Sequence, residues 1–288
     1  MHRALVGWKS GPWIRPASLW LDAPPVGRGL RFVSSCEVSA GRRSDRVLAT
    51  AFTGRYHFGP DRPFLSAPEG EPIRLGAAEV RLLPAGGVHG AAQLHFLSGD
   101  GAVLHTVARR LSGTSLAPPA RFLAADVWVL RVDDPPGDGR PWSQWMDTLA
   151  ERAMADGVTA LRVADAWLAV ELAAGLADRL DAAPGLDGSS RRLQRWIRAG
   201  GPLPSPGDGL RLSLGDTGRS EVTLVGSGGA PSLQVPRAPG VQEILDAAAQ
   251  IRAGEVLLWG AAAARWADAL NRAGLPTRIL GAGPLRLL

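Results

Sequence analysis

Two stretches of the chain decide the fold: Leu82–Gln93 reads LLPAGGVHGAAQ, and Arg31–Ala40 reads RFVSSCEVSA. Each begins as a short apolar run, which predicts a buried strand. Small residues and glycines follow, and they predict a loop. In the first stretch the loop leads into another predicted strand, Ala91–Leu97. The chain therefore contains two places where a buried strand opens into a loop of small side chains.

Working outward, the first half is predicted as strands and the second half as alternating strands and helices. The first-half strands are Ser18–Leu21, Gly29–Ser34, Arg46–Ala51, Ile73–Leu75, Glu79–Pro84, Ala91–Leu97, Ala102–Ala108 and Val127–Val132. Helical spacing of apolar residues predicts helices from Trp142 to Gly157 and over Asp165–Asp181, Val241–Arg252 and Ala261–Ala273. Strands are predicted at Val158–Val163, Glu255–Trp259 and Thr277–Leu280, and a hairpin from Gly209–Ser213 and Glu221–Val225 with its turn at 216–218. This order favours an α+β fold.

Length and composition indicate a folded chain. Its 288 residues, 45% hydrophobic and 20% charged, are enough to bury a large core. No apolar run approaches the roughly 18 residues that a membrane-spanning helix needs, and the first residues do not follow a signal-peptide pattern. A single cysteine, Cys36, excludes an intramolecular disulfide and a cysteine-rich zinc module. We therefore expect a cytoplasmic protein.

The basic residues consist of 31 arginines and one lysine, and the net charge is +5. The codon bias of a GC-rich genome explains this excess of arginine better than selection for arginine chemistry does. Contact with an acidic polymer is nevertheless permitted, since nucleic-acid affinity is largely electrostatic. One cluster combines arginines with an aromatic that is able to stack on bases. Its members, predicted as a nucleic-acid-binding face, are Arg191, Arg192, Arg195, Trp196 and Arg198.

In the order of their apolar and small residues, the two opening stretches resemble signature segments of the metallo-β-lactamase superfamily, in its nucleic-acid-cleaving β-CASP branch. There the later segment runs P-A-G-H-x-x-G-S-A-Q, and the earlier one is a strand that ends in H-x-H-x-D-H. Five further stretches resemble the family in the same order along the chain: Ser18–Asp22, Leu48-Ala49-Thr50, Ala102–Ala108, Ala125–Val129 and Glu255–Leu280. Within that branch the chain resembles ligase-associated DNA exonucleases and messenger-RNA 3′-end processing nucleases.

The resemblance implies an αββα metallo-β-lactamase-like sandwich from residues 1–140 and 255–288, with a reduced α/β β-CASP-like cap at 141–254. It also implies where the two metal ions of an active enzyme would be held. Those vestigial metal-site positions carry Ser35, Glu37, Ser39, Ala40, Gly87, Ala108, Arg131 and Trp259. Only Glu37 among them is a plausible metal ligand. The resemblance therefore implies a pseudoenzyme that has no metal cofactor, with Trp259 filling the former metal cavity.

Three functions remain open. The first is a non-catalytic scaffold or partner subunit in a nucleic-acid-processing or DNA-repair complex, beside an active nuclease, helicase or ligase. The second is a stand-alone nucleic-acid-binding module that uses the arginine cluster. The third is a divergent metal-dependent hydrolase or exonuclease with a substitute site, since zinc accepts thiolate, imidazole and carboxylate ligands. Candidate ligands for that site are Cys36, Glu37, His89 and His105.

Overall fold

The computed structural model describes residues 5–26, 29–39, 46–155, 158–180, 184–187, 190–204, 210–214, 221–226, 232–235 and 237–281. Within them the chain is a mixed α/β protein with three sheets and six helices. The helices are α1 Ala51–Phe58, α2 Trp142–Ala155, α3 Ala166–Ala177, α4 Arg191–Arg198, α5 Val241–Ile251 and α6 Ala263–Arg272. The strands are β1 Val6–Trp8, β2 Pro12–Ile14, β3 Leu19–Leu21, β4 Leu30–Phe32, β5 Arg46–Leu48, β6 Pro72–Leu75, β7 Ala78–Pro84, β8 Ala92–Ser98, β9 Gly101–Val107, β10 Val127–Arg131, β11 Val158–Val163, β12 Gly185–Leu186, β13 Arg211–Leu214, β14 Glu221–Gly226, β15 Ser232–Gln234, β16 Glu255–Trp259 and β17 Arg278–Ile279.

The first two sheets pack face to face. The first sheet has the order β1-β2-β3-β4-β5, and the second has the order β17-β16-β10-β9-β8-β7-β6. Strands β9, β10, β16 and β17 are parallel neighbours, whereas β6 to β9 form an antiparallel meander. One core lies between the two sheets and includes Leu21, Phe32, Leu82 and Val129. The second sheet is therefore buried on this face.

The other face of the second sheet is covered by α5 and α6. Side chains of a strand alternate between the two faces, and β10 shows this: Val129 points into the inter-sheet core, while Trp128 and Leu130 join Ile244 of α5 and Trp266 of α6. Helix α5, which the sequence prediction placed in the cap, thus packs on the second sheet. Burial on both faces explains why β10 reads as a nearly continuous apolar run.

Residues 142–235, the third-sheet region, contain the remaining sheet, with the order β12-β13-β11-β14-β15, and helices α2, α3 and α4. Their apolar side chains form one core, which also includes Phe52 of α1 and Val88 from the loop after β7. Trp196 of α4 contacts Phe52 edge to face at 4.8 Å between ring centroids. The third-sheet region is thus packed directly against the loops of the first two sheets.

Two local predictions are wrong. The predicted strand Arg46–Ala51 ends at Leu48, and α1 begins at Ala51, because the Thr50 hydroxyl caps the helix by accepting from the Thr53 N–H at 3.2 Å. The predicted hairpin does not form: β13 and β14 lie on opposite sides of β11, which pairs parallel with β13 and antiparallel with β14. The central strand supplies both with a partner. The predicted turn at 216–218 lies outside the described residues.

Candidate functional site

The carboxyl-terminal edge of the second sheet gathers three of the predicted vestigial positions. Val107, Arg131 and Trp259 are in register across the parallel strands β9, β10 and β16. The Ala108 N–H donates to the Arg131 carbonyl at 2.7 Å, and the Val132 N–H donates to the Trp259 carbonyl at 2.8 Å. Positions 108, 131 and 259 therefore lie side by side, although they are up to about 150 residues apart in the chain.

Two loops approach the same edge. The Ala92 N–H donates to the Ser34 carbonyl at 2.8 Å, which joins the strand after the Gly87 loop to the loop that carries Ser35. Gly87 has a φ of 67°, and a Cβ there would lie 2.8 Å from the Cβ of Arg109. A histidine at this position would therefore be strained and would collide with Arg109. The Ser39 carbonyl accepts from Arg31 at 2.6 Å, and Ala40 lies outside the described residues.

Glu37 is the centre of a buried ion-pair network. Its carboxylate accepts from Arg109 Nε at 2.9 Å and from Arg237 Nη2. Arg109 also binds Asp134 at 2.5 Å, and Arg237 also binds Asp165 at 3.1 Å. Burial raises the pKa of Glu37, but the charges of Arg109 and Arg237 outweigh burial and hold the pKa below its usual range. Glu37 is therefore an ionised carboxylate neutralised by guanidinium groups.

A second polar cluster surrounds Asp22, between β9 of the second sheet and the first sheet. The Asp22 carboxylate accepts from the Ser34 N–H at 2.7 Å and from the Ser34 hydroxyl at 2.8 Å. His105 Nε2 lies 3.0 Å from the same carboxylate, and its Nδ1 lies 3.1 Å from the Val129 carbonyl. Burial raises the pKa of Asp22, but the contacts with His105 and the charge of Arg131 outweigh it and lower the pKa. This cluster joins β9 to the first sheet.

The four candidate ligands of a substitute metal site have separate partners. Glu37 binds arginines and His105 binds Asp22, whereas His89 contacts the Phe52 ring and the Leu116 carbonyl. Cys36 is buried, and burial together with the charge of Glu37 raises the pKa of its thiol well above the ordinary value. Among the described residues, no group of three or more His, Cys, Asp or Glu is placed to hold a metal ion. The structure does not bring these four side chains together.

Trp259 is only half-buried, so its side chain fills a buried cavity less completely than the sequence analysis predicted. Its ring contacts Trp8 at 6.3 Å between centroids and lies 4.9 Å from the guanidinium carbon of Arg131. The ring therefore packs at the margin of the core between the first two sheets, 6.4 Å from the His105 ring between centroids. The guanidinium of Arg131 is held between this ring and Asp133, which it contacts at 2.8 Å.

The arginine cluster lies on α4, where Ser190 caps the helix. Arg191, Arg192, Arg195 and Arg198 are exposed, so the basic face predicted from the sequence is present on the surface. Trp196 is fully buried and donates its indole N–H to the Pro202 carbonyl at 2.9 Å. The prediction that Trp196 stacks on bases is therefore wrong: its spacing along α4 places it with Leu193 on the buried apolar face, away from Arg191, Arg195 and Arg198.

The sequence missed several residues of this site, including Arg109, Asp134, Asp165 and Arg237. Two local signals were available, because Arg109 directly follows Ala108, one of the predicted positions, and Asp134 closely follows β10. Arg237 carried no signal, since its partner Glu37 is 200 residues away. Beside this network, a cavity of about 420 Å³ lies between the two connections of the third-sheet region, lined by Asp134, Trp145 and Val235 among others.

Comparison with known proteins adds information on the fold alone. No protein-family model and no curated protein matches the chain. Among the 95 solved chains that match is a protein of unknown function from Enterococcus faecalis V583. It superposes with a TM-score of 0.58 at 8% sequence identity, over 90% of this chain and 80% of that chain. The architecture is thus shared with a solved structure. Within the described residues, no helix has the length and apolarity needed to cross a membrane.

Proposed function

We propose that this protein is a non-catalytic metallo-β-lactamase/β-CASP-like protein that acts as a scaffold or partner subunit in a nucleic-acid-processing or DNA-repair complex. The two facing sheets, with α5 and α6 on the outer face of the second sheet, are in keeping with one side of an αββα sandwich, and we assign the third-sheet region to the reduced cap. The convergence of positions 108, 131 and 259 at one sheet edge supports the alignment with the family's metal motifs.

The observation that carries this proposal is the pairing of Glu37 with Arg109 and Arg237. A site for two divalent metals needs carboxylates and imidazoles that converge on the ions. Here the one carboxylate among the vestigial positions is bound by guanidinium groups, which carry the same sign of charge as the metals. The arginines join the sheet edge to the third-sheet region, so this centre serves to hold the two parts together.

Elemental analysis of the purified protein tests the non-catalytic part of the proposal. We expect less than stoichiometric zinc, manganese and iron, and no cleavage of single-stranded DNA or RNA after any of these metals is added. One or two tightly held ions per chain, together with cleavage that a chelator abolishes, would overturn it. Such a result would favour a divergent hydrolase.

Affinity purification from the native host tests the scaffold part of the proposal. We expect a nuclease, helicase or ligase to co-purify at a defined stoichiometry after nuclease treatment of the lysate, which removes association through nucleic acid. Recovery of the protein alone, together with salt-sensitive binding of the purified chain to nucleic acid, would instead support the second candidate function.

That second candidate is a stand-alone nucleic-acid-binding module. The exposed arginines of α4 favour it, because four guanidinium groups lie on a single helix that contains no acidic residue. Arginine binds phosphate through paired N–H donors. Since Trp196 is buried, such binding rests on backbone phosphates, and we expect little dependence on base sequence.

A further inference from the structure

Helix α4 lies beside α1 and carries two arginines on the side next to it. Trp196 of α4 contacts Phe52 of α1 edge to face at 4.8 Å between ring centroids. Residues three or four apart along a helix lie on the same face. Arg192 precedes Trp196 by four residues, and Arg195 follows Arg192 by three. Both arginines therefore lie along the border between the buried face of α4 and the solvent.

Tyr56 of α1 is half-buried beside this border. Its ring contacts Phe52 at 6.2 Å and His57 at 5.4 Å between centroids, so packing holds the ring in place. Its hydroxyl forms no hydrogen bond with any of the described residues. A buried tyrosine hydroxyl usually has a hydrogen-bond partner. Tyr56 therefore presents a donor that a ligand can use.

The charges of both arginines act on this hydroxyl. Burial raises the pKa of Tyr56, and the charges of Arg195 and Arg192 lower it without outweighing burial. Burial lowers the pKa of His57, and the charges of Arg31 and Arg195 lower it further. The guanidinium of Arg195 thus lies close to α1. The Tyr56 hydroxyl keeps its proton at neutral pH and is able to donate to an anion.

The two guanidinium groups retain their positive charge and most of their donors. Among the described residues, neither Arg192 nor Arg195 forms an ion pair, and α4 contains no acidic residue. Arg192 Nη1 donates to the Ala164 carbonyl at 2.5 Å, which fixes this guanidinium and leaves its other N–H groups available. The neighbouring carboxylate of Asp165 is bound by Arg237 at 3.1 Å. The guanidinium groups and the Tyr56 hydroxyl therefore form a cationic set of donors.

We propose that Tyr56, Arg192 and Arg195 bind one phosphate group between α1 and α4. Guanidinium groups bind phosphate oxygens through paired N–H donors, and the tyrosine hydroxyl donates to a further oxygen. The oxygens of a phosphate point in several directions, whereas the two oxygens of a carboxylate lie in one plane. The phosphate belongs to the backbone or the 5′ end of a single-stranded nucleic acid, or it is free phosphate. The site depends on these three residues and not on the scaffold role proposed above.

Nuclear magnetic resonance tests the site directly, because Tyr56 is the one tyrosine of the chain. Tyrosine labelled with carbon-13 at Cζ gives a single resonance that reports the state of this hydroxyl. We expect this resonance to shift on addition of inorganic phosphate or of a single-stranded oligothymidylate, and to stay in place in sodium acetate of equal ionic strength. No shift with either probe, or an equal shift in acetate, would overturn the proposal.

The same resonance distinguishes the sources of the phosphate. Equal shifts from oligothymidylates with and without a 5′ phosphate would identify the backbone, and a shift from the 5′-phosphorylated form alone would identify the strand end. A shift from inorganic phosphate and from neither oligonucleotide would identify free phosphate. Each of these results supports a phosphate site, and none depends on whether a protein partner co-purifies with the chain.

Matched variants test the role of each donor. Tyr56→Phe removes only the hydroxyl, so Tm should stay unchanged while the affinity for the probe that shifts the resonance falls about tenfold. Arg195→Gln should weaken binding by a similar factor. The control is Arg198→Gln, on the exposed side of α4, where Nε donates to the Gln194 carbonyl at 3.2 Å. Unchanged affinity in Tyr56→Phe, or equal losses in the two arginine variants, would also overturn the proposal.

Discussion

The carboxylate of Glu37 binds the guanidinium of Arg237, which lies 200 residues further along the chain. Both side chains are almost fully buried, with 10% and 5% of their surface exposed. Glu37 lies in the loop after β4, and Arg237 lies in the segment that leads from the third-sheet region to α5. The contact therefore closes a long loop of chain and fixes one part of the molecule against another.

Replacement of Glu37 by Gln should destabilise the protein strongly. Removing one partner leaves Arg109 and Arg237 buried with less compensation, and breaking a buried ion pair in this way costs about 3–5 kcal/mol. We expect the free energy of unfolding in urea to fall by that amount. The matched control is Glu79→Gln, which breaks the half-exposed pair with Arg81. Its cost should be below about 1 kcal/mol. Equal effects from the two changes would contradict a structural role for Glu37.

Glu171 predicts an unusual dependence of stability on pH. Burial raises its pKa from 4.5 to about 7, against the hydrogen bonds that it accepts from Thr114 and Leu116. Because the pKa is higher in the folded state, this group's contribution to stability is full below pH 4.5 and is lost as the pH rises through about 7. The loss amounts to about 3 kcal/mol, at 1.36 kcal/mol per pKa unit.

The variant Glu171→Gln isolates this contribution, since an amide keeps the shape of the side chain and does not ionise. Above pH 7 the variant should be more stable than the parent, and its unfolding free energy should depend less on pH between 5 and 8 (roughly the interval that the shifted pKa affects). Urea unfolding at several pH values measures this. Parallel pH profiles for parent and variant would show that Glu171 ionises normally in the folded protein.

Acidification should act in the opposite direction through Asp22 and Glu37. The pKa of each carboxylate is lowered in the folded state, so their stabilising contributions are present above the unfolded values and are lost as the pH falls through the folded values. We expect Asp22→Asn to reduce the loss of stability below pH 4, at the expense of stability at neutral pH. Acid unfolding followed by circular dichroism measures both effects. An unchanged acid midpoint in the variant would exclude Asp22 as a contributor.

Two tryptophans at the second sheet should differ in their contribution to stability. Trp266 is fully buried and donates to the Asp134 carbonyl at 2.8 Å, so Trp266→Ala should cost about 3–5 kcal/mol. Trp259 is half-buried, so Trp259→Ala should cost less than the about 3–5 kcal/mol of a fully buried tryptophan. Trp259→His should produce neither metal binding nor nucleic-acid cleavage, because no cluster of metal ligands is present among the described residues. Thermal melting compares the two alanine variants, and a larger loss at Trp259 would place that ring in the core.

The basic face of α4 predicts weak, salt-dependent binding of single-stranded DNA or RNA. Arg191→Glu with Arg195→Glu should abolish that binding without changing Tm, because both side chains are exposed. Arg192 is less suitable for this change, since it donates to the Ala164 carbonyl at 2.5 Å. The matched control, Arg74→Glu with Arg265→Glu, changes the charge equally at exposed positions elsewhere. If both double variants bind alike, net charge and not α4 carries the interaction.

Local sequence patterns predicted most of the regular elements. The alternating second half was confirmed in β11, α5, β16 and α6, because a run of apolar residues at strand or helix spacing is a local property. The order of strands was not predicted in the third sheet, where β11 separates β13 from β14. Strand pairing depends on which distant segments bury one another, and no local pattern records that choice.

The same division applies to the site. The sequence by itself determined that the eight positions predicted to be vestigial carry Ser, Glu, Gly, Ala, Arg and Trp, since residue identity requires no folding. Only the tertiary structure decided that Arg109 and Arg237 bind Glu37, and that Tyr56 of α1 lies near the arginines of α4. Such contacts join residues from β-strand ends, helix starts and connecting loops. A side chain is only a few ångströms long, so it contacts a distant residue only when the two backbone segments already lie close together. The packing of whole layers of the fold decides which segments do.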